Sequence, residues 1–309
     1  MSLAFVFPGQ GSQSEGMLSA LAAEFSDVEA TYREAAEVLG YDLWDIVQNG
    51  PADKLNSTDI TQPAMLAAGV AVWRVWQAKG GAQPVVLAGH SLGEYTALVC
   101  AGSLAFTDAI KLVAERGRLM QAAVPAGTGA MAAVLGLEDD AVRQACSDAA
   151  AGEVLEAVNF NSPGQVVVAG NKAAVERVVT LAKERGAKRA LLLPVSVPSH
   201  CALMQPAAEQ LASVLKEVAI QAPGIPVINN ADVATPSEPD AIRDALVRQL
   251  YSPVRWVETI QKMATDGVDR LLECGPGKVL VGLNKRIERN MAAQAVLDPD
   301  SLSAALAEE

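Results

Sequence analysis

The chain has 309 residues, half of them hydrophobic, and a formal net charge of −12. That is enough apolar material for a large core, expected as one main domain with an insertion. The acidity argues against a nucleic-acid binder, and any acidic partner has to meet a local basic patch.

The opening Met1-Ser2-Leu3-Ala4-Phe5 lacks a charged n-region and meets Pro8-Gly9 too early for a secretory signal peptide. Residues 3–7 read as a first buried strand, closed by Pro8-Gly9-Gln10-Gly11-Ser12-Gln13. Such a turn can cradle phosphate, but neither G-x-G-x-x-G nor G-K-[ST] is present, so a nucleotide loop is not expected. Its other use is to aim a backbone N–H at the neighbouring strand's end, where it can serve a developing oxyanion. Residues 14–50 read as helices broken at Gly40-Tyr41, and Thr61-Gln62-Pro63-Ala64 opens another, with proline in its first turn.

The most informative stretch is Gly89-His90-Ser91-Leu92-Gly93, between an apolar run at 84–88 and a helix-like run at 94–101. This is G-x-S-x-G in the context it requires, a buried strand, a tight turn and a helix. A serine at that apex is held in a strained backbone, and flanking glycines let neighbouring segments approach closely. An ordinary glycine-rich βα turn is the plain alternative, and the flanking strand and helix favour a nucleophile elbow.

The next helix, 107–123, carries Ala109, Leu112, Val113 and Met120 on one face, and Arg116 falls among them. Lys111, Glu115 and Arg118 share the solvated face. An inward guanidinium needs a carboxylate partner. That partner is either a structural carboxylate or one that arrives with a substrate, which a planar fork holds bidentately.

After Pro125-Ala126-Gly127-Thr128-Gly129 the pattern becomes strand 130–137, helix 140–151, strands 154–159 and 165–169, helix 172–186 and strand 188–195. This βαββαβ order predicts a ferredoxin-like subdomain at 127–196. It is inserted into an α/β domain of residues 1–126 and 197–309 and forms one wall of a cleft.

Pro194-Val195-Ser196-Val197-Pro198-Ser199-His200 returns the chain to the core and leads into a helix with Met204, Ala208, Leu211, Leu215 and Val218 on one side. The sequence has only two histidines. His90 precedes Ser91 directly and points to the opposite face, which leaves His200 as the general base for a serine nucleophile. A helix N-terminus beside His200 would keep its imidazole neutral. Residues 225–230 then read as a strand, 240–251 and 254–264 as helices, and 271–274 as the last strand. Gly275-Pro276-Gly277 leads into a helix with Lys278, Lys285, Arg286 and Arg289, and the final ten residues are expected to be loosely held. The four cysteines are scattered without a C-x-x-C pair, which suits a reduced, cytoplasmic protein without structural zinc. No apolar stretch approaches the ~18 residues of a membrane span.

Taken together, PGQGSQ after the first strand, TQPA, GHSLGEY, NFNSPGQ and PSH resemble the malonyl-CoA:acyl carrier protein transacylases and the related acyltransferase domains of polyketide synthases. The resemblance covers nearly the whole chain. It implies an α/β-hydrolase-like core with a parallel sheet and the inserted ferredoxin-like unit. It places Gln62 at the acyl pocket and Arg116 on the acyl carboxylate. It also implies that a backbone carbonyl near Gln249 orients His200. No aspartate between Ser91 and His200 is convincing as a third member, so a Ser-His dyad is expected rather than a triad.

The implied reaction is two-step acyl transfer through Ser91, with backbone N–H groups of Gln10 and Leu92 as the oxyanion hole. Malonyl-CoA and phosphopantetheinylated acyl carrier protein are the substrates, with no metal or further cofactor, and the expected working form is a monomer. A thioesterase would share this machinery and admit water, and a non-catalytic carrier-protein docking module is the remaining rival. The acidic carrier protein would meet Lys285-Arg286, or less favourably Lys188-Arg189.

Overall fold

β1 (Leu3–Phe7) is buried at every position, as expected for a strand covered on both faces. The computed structural model describes residues 2–195 and 197–308. Met1, Ser196, where the insertion was expected to close, and Glu309 lie outside the described residues. The helices α1 (Ser19–Glu24), α2 (Ser26–Leu39), α3 (Leu43–Asn49), α4 (Ala52–Leu55) and α5 (Thr58–Ala78) lead to β2 (Val86–Gly89), α6 (Gly93–Cys100) and α7 (Phe106–Ala122). There follow β3 (Gly129–Leu135), α8 (Asp139–Ala150), β4 (Leu155–Ser162), β5 (Gln165–Asn171), α9 (Lys172–Glu184) and β6 (Arg189–Leu192). The chain closes with α10 (Gln205–Glu217), β7 (Val227–Ile228), α11 (Pro239–Gln249), α12 (Trp256–Thr265), β8 (Arg270–Cys274), α13 (Val279–Ile287), β9 (Ala292–Val296) and α14 (Pro299–Ala307).

The first sheet has five parallel strands in the order β7-β2-β1-β8-β9. Phe7 of β1 pairs with Gly89 of β2, so the Pro8-Gly9-Gln10 turn and the Ser91 turn leave the same carboxyl edge side by side. That edge is where open α/β sheets place their ligands. The second sheet is antiparallel in the order β4-β5-β3-β6, which is the ferredoxin-like arrangement for a βαββαβ unit. Helices α8 and α9 bury Val142, Ala145, Cys146, Val175 and Val178 in a core of its own. Hydrogen bonds from Phe160 N–H to the Val254 carbonyl and from Val254 N–H to the Val158 carbonyl tie β4 to the main body.

Four expectations are corrected. Helix α5 starts at Thr58, so Pro63 lies inside it rather than in its first turn. The Ser57 carbonyl already receives the Ile60 and Thr61 N–H groups, closing the helical turn earlier. A 3₁₀ turn at Ala202–Met204 separates His200 from α10. The strand expected at 225–230 shrinks to two residues, because the Asn229 and Asn230 N–H groups turn away to Ala234 and Glu94. The end of the chain is held: β9 pairs with β8, an Asp298–Ser301 capping box starts α14, and Leu302 and Ala305 are buried.

Candidate active site

Ser91 stands at φ 51° immediately before α6, a left-handed conformation that costs a non-glycine residue about 1–3 kcal/mol. The turn is too tight for side chains on either flank. A Cβ at position 89 would lie 1.8 Å from the Gly93 carbonyl carbon, and one at 93 would lie 2.0 Å from the Phe7 carbonyl oxygen. The glycines therefore let β2, α6 and β1 touch, and the serine takes the strain.

His200 is buried and also has a positive φ, 67°. Its Nδ1 lies 2.8 Å from the Gln249 backbone carbonyl. A carbonyl only accepts, so Nδ1 carries the hydrogen and Nε2 is left to accept from the Ser91 hydroxyl, 2.8 Å away. Burial, followed by the positive charge of Arg116, lowers the pKa of His200 to about 3. The imidazole is neutral at rest, but the cause is not the helix N-terminus expected from the sequence, since α10 begins only at Gln205.

Arg116 is 1% exposed, and it donates to two amide oxygens and a hydroxyl rather than to a carboxylate. Nη1 donates to Gln62 Oε1 at 2.8 Å, and Nη2 to Gln249 Oε1 at 3.0 Å and Ser91 Oγ at 3.3 Å. The guanidinium also lies over the Tyr95 ring, 5.2 Å from its centroid. Burial lowers its pKa, yet a guanidinium stays charged at neutral pH. Held by neutral groups, it keeps its attraction for an incoming anion. A cavity of about 130 Å³ joins Ser91, His200, Arg116 and Gln62 to Met131, Leu193 and Val195 of the insertion. Gln10 and Leu92 line it too, and the N–H of neither has an acceptor among the described residues.

A serine hydroxyl, a neutral imidazole and a fixed cation thus share one cleft, and comparison with known proteins identifies the family. The acyl transferase domain model matches residues 4–297. The malonyl CoA-acyl carrier protein transacylase of Escherichia coli K12 is 59% identical over 98% of both chains. It belongs to that transacylase family. Among solved structures, an acyl carrier protein S-malonyltransferase from Vibrio cholerae is 63% identical, with a TM-score of 0.96 over 98% of this chain and 99% of that one. A malonyl-transacylase in complex with a type II PKS acyl-carrier protein is 58% identical, with a TM-score of 0.99 and full coverage of both chains. The protein is thus an acyltransferase with the fold of that family.

Around the transacylase site the structure adds groups that sequence reasoning missed. His90 lines the same cavity as Ser91 and His200 but makes no hydrogen bond to either among the described residues. It donates from Nε2 to Asn161 Oδ1 at 2.8 Å and lies beside Trp256. Glu94 is buried, and its Oε2 accepts from Gln249 Nε2 at 2.8 Å and from Asn230 N–H at 2.9 Å. Burial pushes its pKa up to about 7, against the pull of these bonds and of Arg116. The available signals were a charge in an otherwise apolar helix start and a polar Asn-Asn pair closing an apolar strand. Lys285 and Arg286 are exposed on the last turn of α13, and Arg286 donates to Gln165 Oε1 of the insertion at 2.6 Å. Lys188 and Arg189 are exposed at the start of β6. No group of three or more His, Cys, Asp or Glu residues arranged to hold a metal occurs among the described residues. Nor is any described helix long and apolar enough to cross a membrane.

Proposed function

We propose that the protein transfers the malonyl group from malonyl-CoA to the phosphopantetheine thiol of acyl carrier protein, through a malonyl-serine intermediate on Ser91. The observation that carries this reading is a buried Arg116 without a carboxylate partner, 3.3 Å from the Ser91 hydroxyl. A guanidinium there matches an acyl group with a free carboxylate at its far end.

His200 Nε2 takes the Ser91 proton as Oγ bonds to the thioester carbonyl carbon. The oxyanion forms against the N–H groups of Gln10 and Leu92, while Arg116, steadied by Gln62 and Gln249, holds the malonyl carboxylate. Collapse breaks the C–S bond, and the coenzyme A thiolate leaves with the proton from His200. The carrier-protein thiol then gives its proton to His200 and attacks the malonyl-serine, returning Ser91 to its hydroxyl form. The Nδ1–H bond to the Gln249 carbonyl holds the imidazole in its working tautomer and supports the passing imidazolium without a third acid.

The relative solved with an acyl-carrier protein supports the choice of partner. In this reading the carrier protein meets Lys285 and Arg286, and a monomer in the cytoplasm is the working form. Incubation with malonyl-CoA and carrier protein should yield malonyl-carrier protein; free malonate as the main product would make the protein a thioesterase. Failure of a serine-directed reagent to label Ser91 would instead favour a docking module.

A further inference from the structure

The elbow works only while Ser91 stays at its positive φ, and the bonds that hold it come from remote parts of the chain. Asn230, 1% exposed just after β7, bridges the turn with its side-chain amide. Its Oδ1 accepts from the Ser91 N–H at 2.7 Å, and its Nδ2 donates to the Gly89 carbonyl at 2.7 Å. The Asn230 backbone N–H donates to Glu94 Oε2 at 2.9 Å. The same oxygen receives Gln249 Nε2, which also donates to the Ser91 carbonyl at 3.0 Å. Both ends of the Ser91 residue are therefore tied to one buried network.

We propose that Asn230, braced by Glu94, is the positioning residue of the nucleophile elbow, holding the Ser91 backbone so that its hydroxyl meets His200. This rests on Ser91 being the acyl carrier. The clamp needs an acceptor and a donor side by side, which a side-chain amide supplies and an ionised carboxylate or an alkyl group does not. Without it the partly buried Ser91 N–H loses its partner, and the strained φ loses the bond that fixes it.

Substituting Asn230→Asp gives a test that a purely structural role would not pass. The neutral acid offers an O–H to the Gly89 carbonyl and an oxygen to the Ser91 N–H, whereas the ionised form sets negative oxygen against that carbonyl. Glu94, Asp232 with its partner Arg248, Arg255, Arg116, His90 and His200 are charged or titratable groups around this position. The parent shares all of them, so rates are taken as a ratio to the parent at each pH. Rapid-quench formation of malonyl-enzyme is the readout. The ratio for Asn230→Asp should be at least about tenfold higher at about pH 5.5 than at about pH 8.5. Asn230→Ala should slow the step roughly 100-fold at every pH, with half-saturating malonyl-CoA within about threefold of the parent. A flat Asn230→Asp ratio, or a folded Asn230→Ala within about threefold of the parent rate, overturns the proposal. If Asn230→Ala does not fold, the Asn230→Asp comparison of one sample at two pH values decides alone. Ser91→Ala in the same assay separates the two readings, because label retained there refutes the acyl carrier whatever Asn230 does.

Discussion

Around the parallel sheet, buried polar side chains are numerous and bonded to one another, among them Gln62, Glu94, Arg116, His200, Asn230 and Gln249. In the inserted sheet, Ser162 is the one buried polar side chain among the described residues. Backbone strain divides the same way. Ser91 and His200 hold positive φ in the large part, while the one such non-glycine residue of the insertion among the described residues, Ala151, merely ends helix α8. The insertion meets the site with Met131, Leu193 and Val195, a mostly apolar wall in which Asn159 of β4 is the polar member among the described residues. In the proposed mechanism, chemistry and its structural cost are thus concentrated on one sheet's carboxyl edge, and the other sheet narrows the cleft.

The contrast breaks most visibly at His200. His200→Ala should slow acylation of Ser91 by roughly 10²–10⁴, the usual worth of a positioned base, with thermal unfolding nearly unchanged. If His90→Ala were the more damaging of the two, with its fold intact, the base would have been misassigned. Arg116→Ala should reduce the preference for malonyl-CoA over acetyl-CoA by about 100-fold, the value of a charge-assisted bond that acetyl cannot make. Arg116→Lys should recover only part of it, lacking the planar fork. Equal losses for both acyl groups would mark Arg116 as structural.

Buried carboxylates also belong to the large part alone, and they make its stability respond to pH. Burial raises the pKa of Glu273 from 4.5 to about 7. Between those values the unfolded chain has released this proton and the native protein still binds it, so stability falls as pH rises. The full effect is about 3 kcal/mol. Lowered to about 3, His200 acts in the opposite sense: the unfolded chain takes its proton below 6.5, and stability falls as pH falls through that range. Glu273→Gln should therefore gain on the parent in melting temperature between about pH 5 and pH 8; a gap that narrows with rising pH would contradict this. The smallest effect is expected in the wall. Met131→Ala should shift half-saturating malonyl-CoA by only a few fold and leave the acylation rate within about threefold, since it removes packing rather than charge. A rate loss near that of His200→Ala would end the division between the two sheets.

Much of this was legible because local chemistry forces it. The tight turn of GHSLG needs both glycines, the periodicity of 107–123 turns Arg116 inward, and the βαββαβ order specifies the inserted sheet. The elbow brace was not legible. Asn230 and Ser91 are 139 residues apart, as are their partners on a similar scale, and only the parallel sheet brings them together. The Gln249 carbonyl has no side-chain signature, and its place came from the family resemblance. The last strand and helix were missed because Ala292–Val296 alternates weakly and is held by pairing with β8 rather than by its own pattern. The neutral state of His200 was expected for the wrong reason, because burial and a distant arginine cannot be read from its neighbours in the chain.

The central claim, that this edge of the parallel sheet carries the acyl group on Ser91, is tested most directly by intact-mass analysis of the enzyme after brief exposure to malonyl-CoA. The parent should gain one malonyl group, mapped to Ser91 and discharged by carrier protein, and Ser91→Ala should gain none. A malonyl adduct of equal yield on the Ser91→Ala variant, or on another residue of the parent, would contradict the account.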